Sequence, residues 1–136
     1  EVVDQRNGAK RVVKRVKELQ DKWGGQLVID AGSSAGSLIP DLEAAGVDLF
    51  LMSTRDVARA CGSFRDAVTD SVLHHLDQPA LNEAVNGAAL RDLGDQQAWN
   101  RRSATSNISP LIAATNALYG VQSQVVASGE PEVYFI

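Results

Sequence analysis

A single cysteine, Cys61, in 136 residues excludes an internal disulfide framework and suits a reducing compartment. It reads either as a reactive thiol or as a small buried hydrophobe. No stretch approaches the roughly 18 consecutive apolar residues of a membrane-spanning helix. The opening residues lack the basic-then-apolar pattern of a signal peptide, so none is expected. No Gly-x-x-x-x-Gly-Lys-Ser/Thr pattern occurs, which excludes a P-loop motor within the chain. Ser33 and Ser34 have no Gly-x-Ser-x-Gly elbow around them, and serine hydrolysis is discounted. His74-His75 has no second ligand pair at zinc spacing. Internal repeats and low-complexity tracts are also missing.

What is present describes an ordinary globular protein, 44% hydrophobic and 22% charged. The length fits one compact domain, residues 1–136, with room for a core. The first residue is Glu1 rather than Met, and Glu1-Val2-Val3 reads as the end of a strand. The expectation is therefore a piece of a longer protein that lacks its first strands.

The net charge of −4 is unevenly spread. Residues 1–25 hold seven bases and four acids, a balance of +3, and the remainder is at −7. A basic helix on an acidic body suits nucleic acid phosphates. It equally describes a solvated helix face.

Periodicity predicts an amphipathic helix over about 7–23, with Val12, Val16, Leu19 and Trp23 on one stripe. Gly24-Gly25 should end it. A second helix is expected over 37–45, stopped at Gly46, then a buried strand over 47–52. Thr54 should begin a longer helix through about Leu73, and Pro79 a short one. Leu90, Leu93, Ala98 and Trp99 around Gly94-Asp95 suggest a hairpin. Ser109 as N-cap and Pro110 as first residue predict a helix to Tyr119, stopped at Gly120. A polar tail should follow, ending in Glu132-Val133-Tyr134-Phe135-Ile136. The alternation implies an α/β fold with a mostly parallel sheet flanked by helices.

The most informative stretch is Leu27-Val28-Ile29-Asp30-Ala31-Gly32-Ser33-Ser34-Ala35-Gly36. A short β-branched run ends in a carboxylate, and small residues follow. Asp30 is thus expected at the carboxyl end of a strand, where open α/β sheets place their ligands. It either presents a metal-binding carboxylate or caps the turn after it. The loop also invites a phosphate-cradle reading, although Gly-x-Gly-x-x-Gly spacing is missing.

Several stretches in order resemble one family: Glu1-Val2-Val3-Asp4-Gln5-Arg6, Val28-Ile29-Asp30, Leu38-Ile39-Pro40-Asp41-Leu42 and Ala44-Ala45-Gly46-Val47. Later come His75-Leu76-Asp77-Gln78-Pro79-Ala80-Leu81, Trp99-Asn100-Arg101-Arg102 and Ile108-Ser109-Pro110-Leu111-Ile112-Ala113-Ala114. Together they resemble the C-terminal nuclease domain of the large subunit of tailed-phage terminases, and the likeness spans nearly the whole chain.

The resemblance implies an RNase H-like fold and an endonuclease that cuts concatemeric double-stranded DNA with two Mg²⁺ or Mn²⁺ ions. It also implies the terminase small subunit and the portal as partners, and the cytoplasm of a host cell carrying a phage or prophage. Asp30 matches the second acid of the family's three. The third stands directly before the Ile-Ser-Pro-Leu helix, where this chain has Asn107; the first would lie upstream of Glu1. Asn107 then acts either as a neutral ligand or as a helix cap. The implied activity is weak or lost, and the alternative is a remnant that binds DNA or a packaging partner without cutting. Arg101, Arg102 and His75 are the candidate DNA contacts, with structural pairing of the arginines to Asp92 or Asp95 the other reading. A sheet lacking a strand has an open edge, so self-association is expected.

Overall fold

A computed structural model describes residues 1–128. The chain is mixed α/β and divides into two compact units, one formed by Arg6–Arg55 and the other by Glu1–Gln5 with Asp56 onward.

In the Arg6–Arg55 unit, helix α1 (Val12–Trp23) precedes strand β1 (Leu27–Asp30). A 3-10 turn over Ser34–Leu38 leads into helix α2 (Ile39–Ala44), and strand β2 (Leu49–Met52) follows. β1 and β2 run parallel, with Leu27 opposite Leu49 and Asp30 opposite Met52. A parallel pair needs a crossover, which α2 supplies. Ile29, Leu42 and Val47 are buried at the centre, and Val13 and Val16 of α1 close over them. Gly46, at φ 69°, ends α2 in the left-handed region, letting the Val47 N–H reach the Leu42 carbonyl at 3.0 Å.

α1 starts at the first residue of its apolar stripe, later than the expected residue 7. Gly8 sits at φ 95°, outside helical geometry, and the first helical residue is Val12. The second helix is split, because the small residues 34–38 wind into the tighter 3-10 form before Pro40 admits an α-turn.

The second unit holds α3 (Thr54–Thr69, whose first turn contains the division), α4 (Pro79–Asn86), the hairpin β3 (Leu90–Leu93) and β4 (Gln96–Trp99), and α5 (Ser109–Ser128). Leu90 pairs with Trp99 and Leu93 with Gln96 in antiparallel register. Gly94, at φ 62°, takes the first central position of the two-residue turn. Phe64, Ala67, Leu81, Ala84, Leu111 and Leu118 make the core.

Here the sequence-based expectations need four corrections. α3 stops at Thr69 rather than near Leu73, because Ser71 adopts φ 57° and the Val72 N–H turns back to the Ala67 carbonyl at 3.0 Å. α5 does not stop at Gly120 but continues to Ser128. One glycine costs a helix only about 1 kcal/mol, and Leu118 in the core outweighs it. Ser109 is not the N-cap: its N–H is itself received by Asn107 Oδ1 at 3.0 Å. Residues 1–6 form no strand; instead the Val2 N–H and carbonyl are both bound by the Gln78 side-chain amide, at 2.7 and 3.0 Å. The tail Glu132–Ile136 lies outside the described residues.

Among the described residues the strands form two sheets of two strands each, one parallel and one antiparallel. Among the described residues, no helix is long and apolar enough to cross a membrane.

Candidate functional site

Asp30 ends β1 half-buried. Its Oδ1 accepts the Gly32 N–H at 2.9 Å, and its carbonyl accepts both the Ser33 N–H (3.1 Å) and the Ser33 hydroxyl (2.8 Å). The Ser33 hydroxyl oxygen then accepts the Ala35 N–H at 3.2 Å, and the Ser33 carbonyl accepts the Gly36 N–H at 2.9 Å. The carboxylate therefore organises its own turn. The same bonds turn four loop amides inward, so the loop is spent on itself and offers no phosphate cradle of the P-loop kind. Gly36 is required here, since a Cβ would overlap the Ala31 carbonyl.

Asn107 is exposed and belongs to the other unit. Its amide oxygen caps α5 through the Ser109 N–H. A two-metal centre draws most of its attraction from neighbouring carboxylates. Among the described residues no three of His, Cys, Asp or Glu gather in a group able to hold a metal ion. Asp30 and Asn107 as they stand do not supply that donor set.

Arg101 and Arg102 are exposed in the turn after β4. Asn100 builds that turn, its Oδ1 accepting the Arg102 N–H at 3.1 Å and the Ser103 N–H at 3.3 Å. No ion pair links either arginine to Asp92 or Asp95. Asp92 instead accepts from Gln97 Nε2 at 3.4 Å. His75 is exposed, and its Nδ1 accepts the Asp77 N–H at 3.1 Å. Asp77 sits at φ 54° and accepts from Asn82 Nδ2 at 2.8 Å, so the imidazole is part of a tight turn.

One cleft, of about 720 Å³, is formed within the second unit by α3, the β3–β4 turn and α5. Arg59, Arg65, Asp66, Asp92, Asp95 and Tyr119 bring its polar groups. Arg65 donates to Gln97 Oε1 at 3.0 Å. The Tyr119 hydroxyl donates to Asp56 Oδ1 at 2.8 Å. Burial pushes the phenol's pKa above its ordinary value, the bond to Asp56 adds to this, and Arg59 opposes it. Burial likewise raises the Cys61 thiol, against the pull of Arg65. Cys61 is fully buried, which favours the packing reading over thiol chemistry. The sequence gives no hint of the Asp56–Tyr119 contact, because 63 positions separate the two residues.

Compared with protein-family models, curated proteins and solved structures, the chain matches none.

Proposed function

We propose that this chain is the nuclease-domain part of a phage DNA-packaging terminase, RNase H-like in fold, which engages double-stranded DNA without cutting it. The order of the matched stretches supports the family. The observation that carries the non-cutting form is the use of Asn107: it stands where the family has an acid, and its oxygen is committed to the Ser109 N–H. Mg²⁺ or Mn²⁺ belongs to the family reading, and Asp30 alone brings a carboxylate to it. The small subunit and the portal are the proposed protein partners, a second copy at an open sheet edge a further one, and a host cytoplasm the proposed setting.

The test combines a gel shift with a labelled duplex in EDTA and plasmid cleavage in Mn²⁺, using the chain, Asn107→Asp and Asp30→Ala. The expected result is a shifted duplex and intact plasmid throughout. Cleavage that disappears in Asp30→Ala would overturn the non-cutting form. Failure to shift any duplex would overturn the reading as a whole.

A further inference from the structure

Helix α1 and the residues leading into it carry more positive charge than covering a small core requires. Residues 6–25 hold seven bases and only two acids, Glu18 and Asp21. The rest of that unit holds Asp30, Asp41, Glu43 and Asp48 against Arg55 alone. Positive charge is thus gathered on α1 and the six residues before it. Within α1 Glu18 and Asp21 interleave with Lys14 and Lys22, so the net excess is shared between the helix and the residues before it.

Geometry aims this charge outward. Val13 and Val16 face the core. At 3.6 residues per turn, Lys14 and Lys22 project from the arc away from Val13 and Val16. The Lys14 side chain is 85% exposed, and Lys10 and Lys22 are exposed as well. Both acids are already paired with bases of the helix. Glu18 lies 3.9 Å from Lys14 and 3.3 Å from Arg15, and Asp21 lies 2.9 Å from Lys17. Lys10 and Lys22 form no ion pair among the described residues. Exposed pairs of this kind hold weakly, so their lysines can exchange a carboxylate for a phosphate. Beyond Lys22, whose Nζ lies 4.6 Å over the Trp23 ring, the chain turns away through Gly24 and Gly25, leaving Trp23 72% exposed.

We infer that the exposed side of α1, together with the residues leading into it, is a contact surface for the phosphate backbone of double-stranded DNA, with Lys10, Lys14 and Lys22 as its principal contacts. The choice of duplex DNA rests on the function proposed above; the location rests on the charge and its exposure. A regular polyanion matches a surface of net positive charge, and each lysine bound displaces counterions from the duplex. The inference places the main contact on a different unit from Arg101, Arg102 and His75.

The test is fluorescence anisotropy of a labelled 20-base-pair duplex in EDTA, titrated at several salt concentrations. It compares the full chain, the triple variant Lys10→Gln/Lys14→Gln/Lys22→Gln and the double variant Arg101→Gln/Arg102→Gln. The triple variant should bind at least about tenfold more weakly, and its salt slope should fall by about three. The double variant should change less. Glu18→Gln/Asp21→Asn, which removes the competing acids, should bind more tightly than the parent. Because the three lysines are exposed, circular dichroism should be the same for the triple variant and the parent. Unchanged affinity and slope in the triple variant would overturn the α1 assignment and leave DNA binding standing. No duplex binding by the parent, or binding to anionic vesicles in place of DNA, would overturn both this inference and the proposed function.

Discussion

Trp99 donates its indole N–H to Thr115 Oγ1 at 2.9 Å, and the same hydroxyl donates to the Leu111 carbonyl at 2.8 Å. The hairpin's last residue is thereby fastened to the middle of α5, with the Phe64 ring set edge-on to Trp99 at 6.4 Å. Thr115 is only 2% exposed. Replacing it with valine keeps the shape and removes the acceptor, leaving the indole N–H unsatisfied. Thr115→Val should cost about 1–3 kcal/mol in urea denaturation. An unchanged midpoint would mean that the bond contributes nothing net.

Asn107 separates a capping role from a ligating one. Asn107→Ala removes the acceptor of the Ser109 N–H and should cost about 1 kcal/mol. Asn107→Asp keeps the cap and sets a negative charge at the positive end of α5, so stability should hold or rise by about 0.3–1 kcal/mol. Thermal melts of the three proteins decide this. A loss in Asn107→Asp as large as in Asn107→Ala would contradict the cap.

Two glycines should respond oppositely to the same change. A methyl at Gly36 meets the Ala31 backbone, whereas one at Gly62 in α3 meets nothing within 4 Å. Gly36→Ala is expected to destabilise by about 1–3 kcal/mol through overpacking. Gly62→Ala should stabilise by up to about 1 kcal/mol, since alanine loses less backbone entropy in a helix. Denaturant midpoints of equal sign would show the packing at one of the sites to be misread.

Tyr119 should ionise above its ordinary value of 10.0, for burial and the Asp56 carboxylate both favour the neutral phenol. A folded-state pKa above the unfolded one gives stability that is complete below pH 10 and fades as pH rises through the folded value. Ultraviolet difference titration against Tyr119→Phe isolates this phenol. Its midpoint should fall in Asp56→Asn and climb in Arg59→Ala, because Arg59 pulls the other way. A midpoint indifferent to both changes would rule out the hydrogen-bonded arrangement.

Local signals located most elements. The run Leu27–Asp30, the stop at Gly46, the turn at Gly94 and Pro79 at the start of α4 are all settled within a few residues of themselves. The ends that differ are those decided by distant packing or by unusual backbone. Ser71 takes a left-handed conformation that its residue type does not advertise. Gly120 would end an isolated helix, yet α5 passes through it on the strength of its buried neighbours. For the site, Asp30 was legible as a strand-end carboxylate, and the structure supports the turn-capping half of that reading. The cleft residues were not legible, because Asp56, Arg65, Gln97 and Tyr119 meet only once the chain has folded.

The paired bonds from Gln78 to Val2 hold residues 1–5 within the same unit as Asp56 onward. Arg6–Arg55 is consequently an insertion tethered at both ends. If it melts while its host stays folded, it becomes a closed loop of about 50 residues rather than a free tail. Such a loop has fewer conformations than an open chain, by on the order of 3 kcal/mol. Connectivity to the host thus limits the freedom its insert gains on melting, and cutting the chain near Arg6 would loosen the inserted unit without removing any contact from its core.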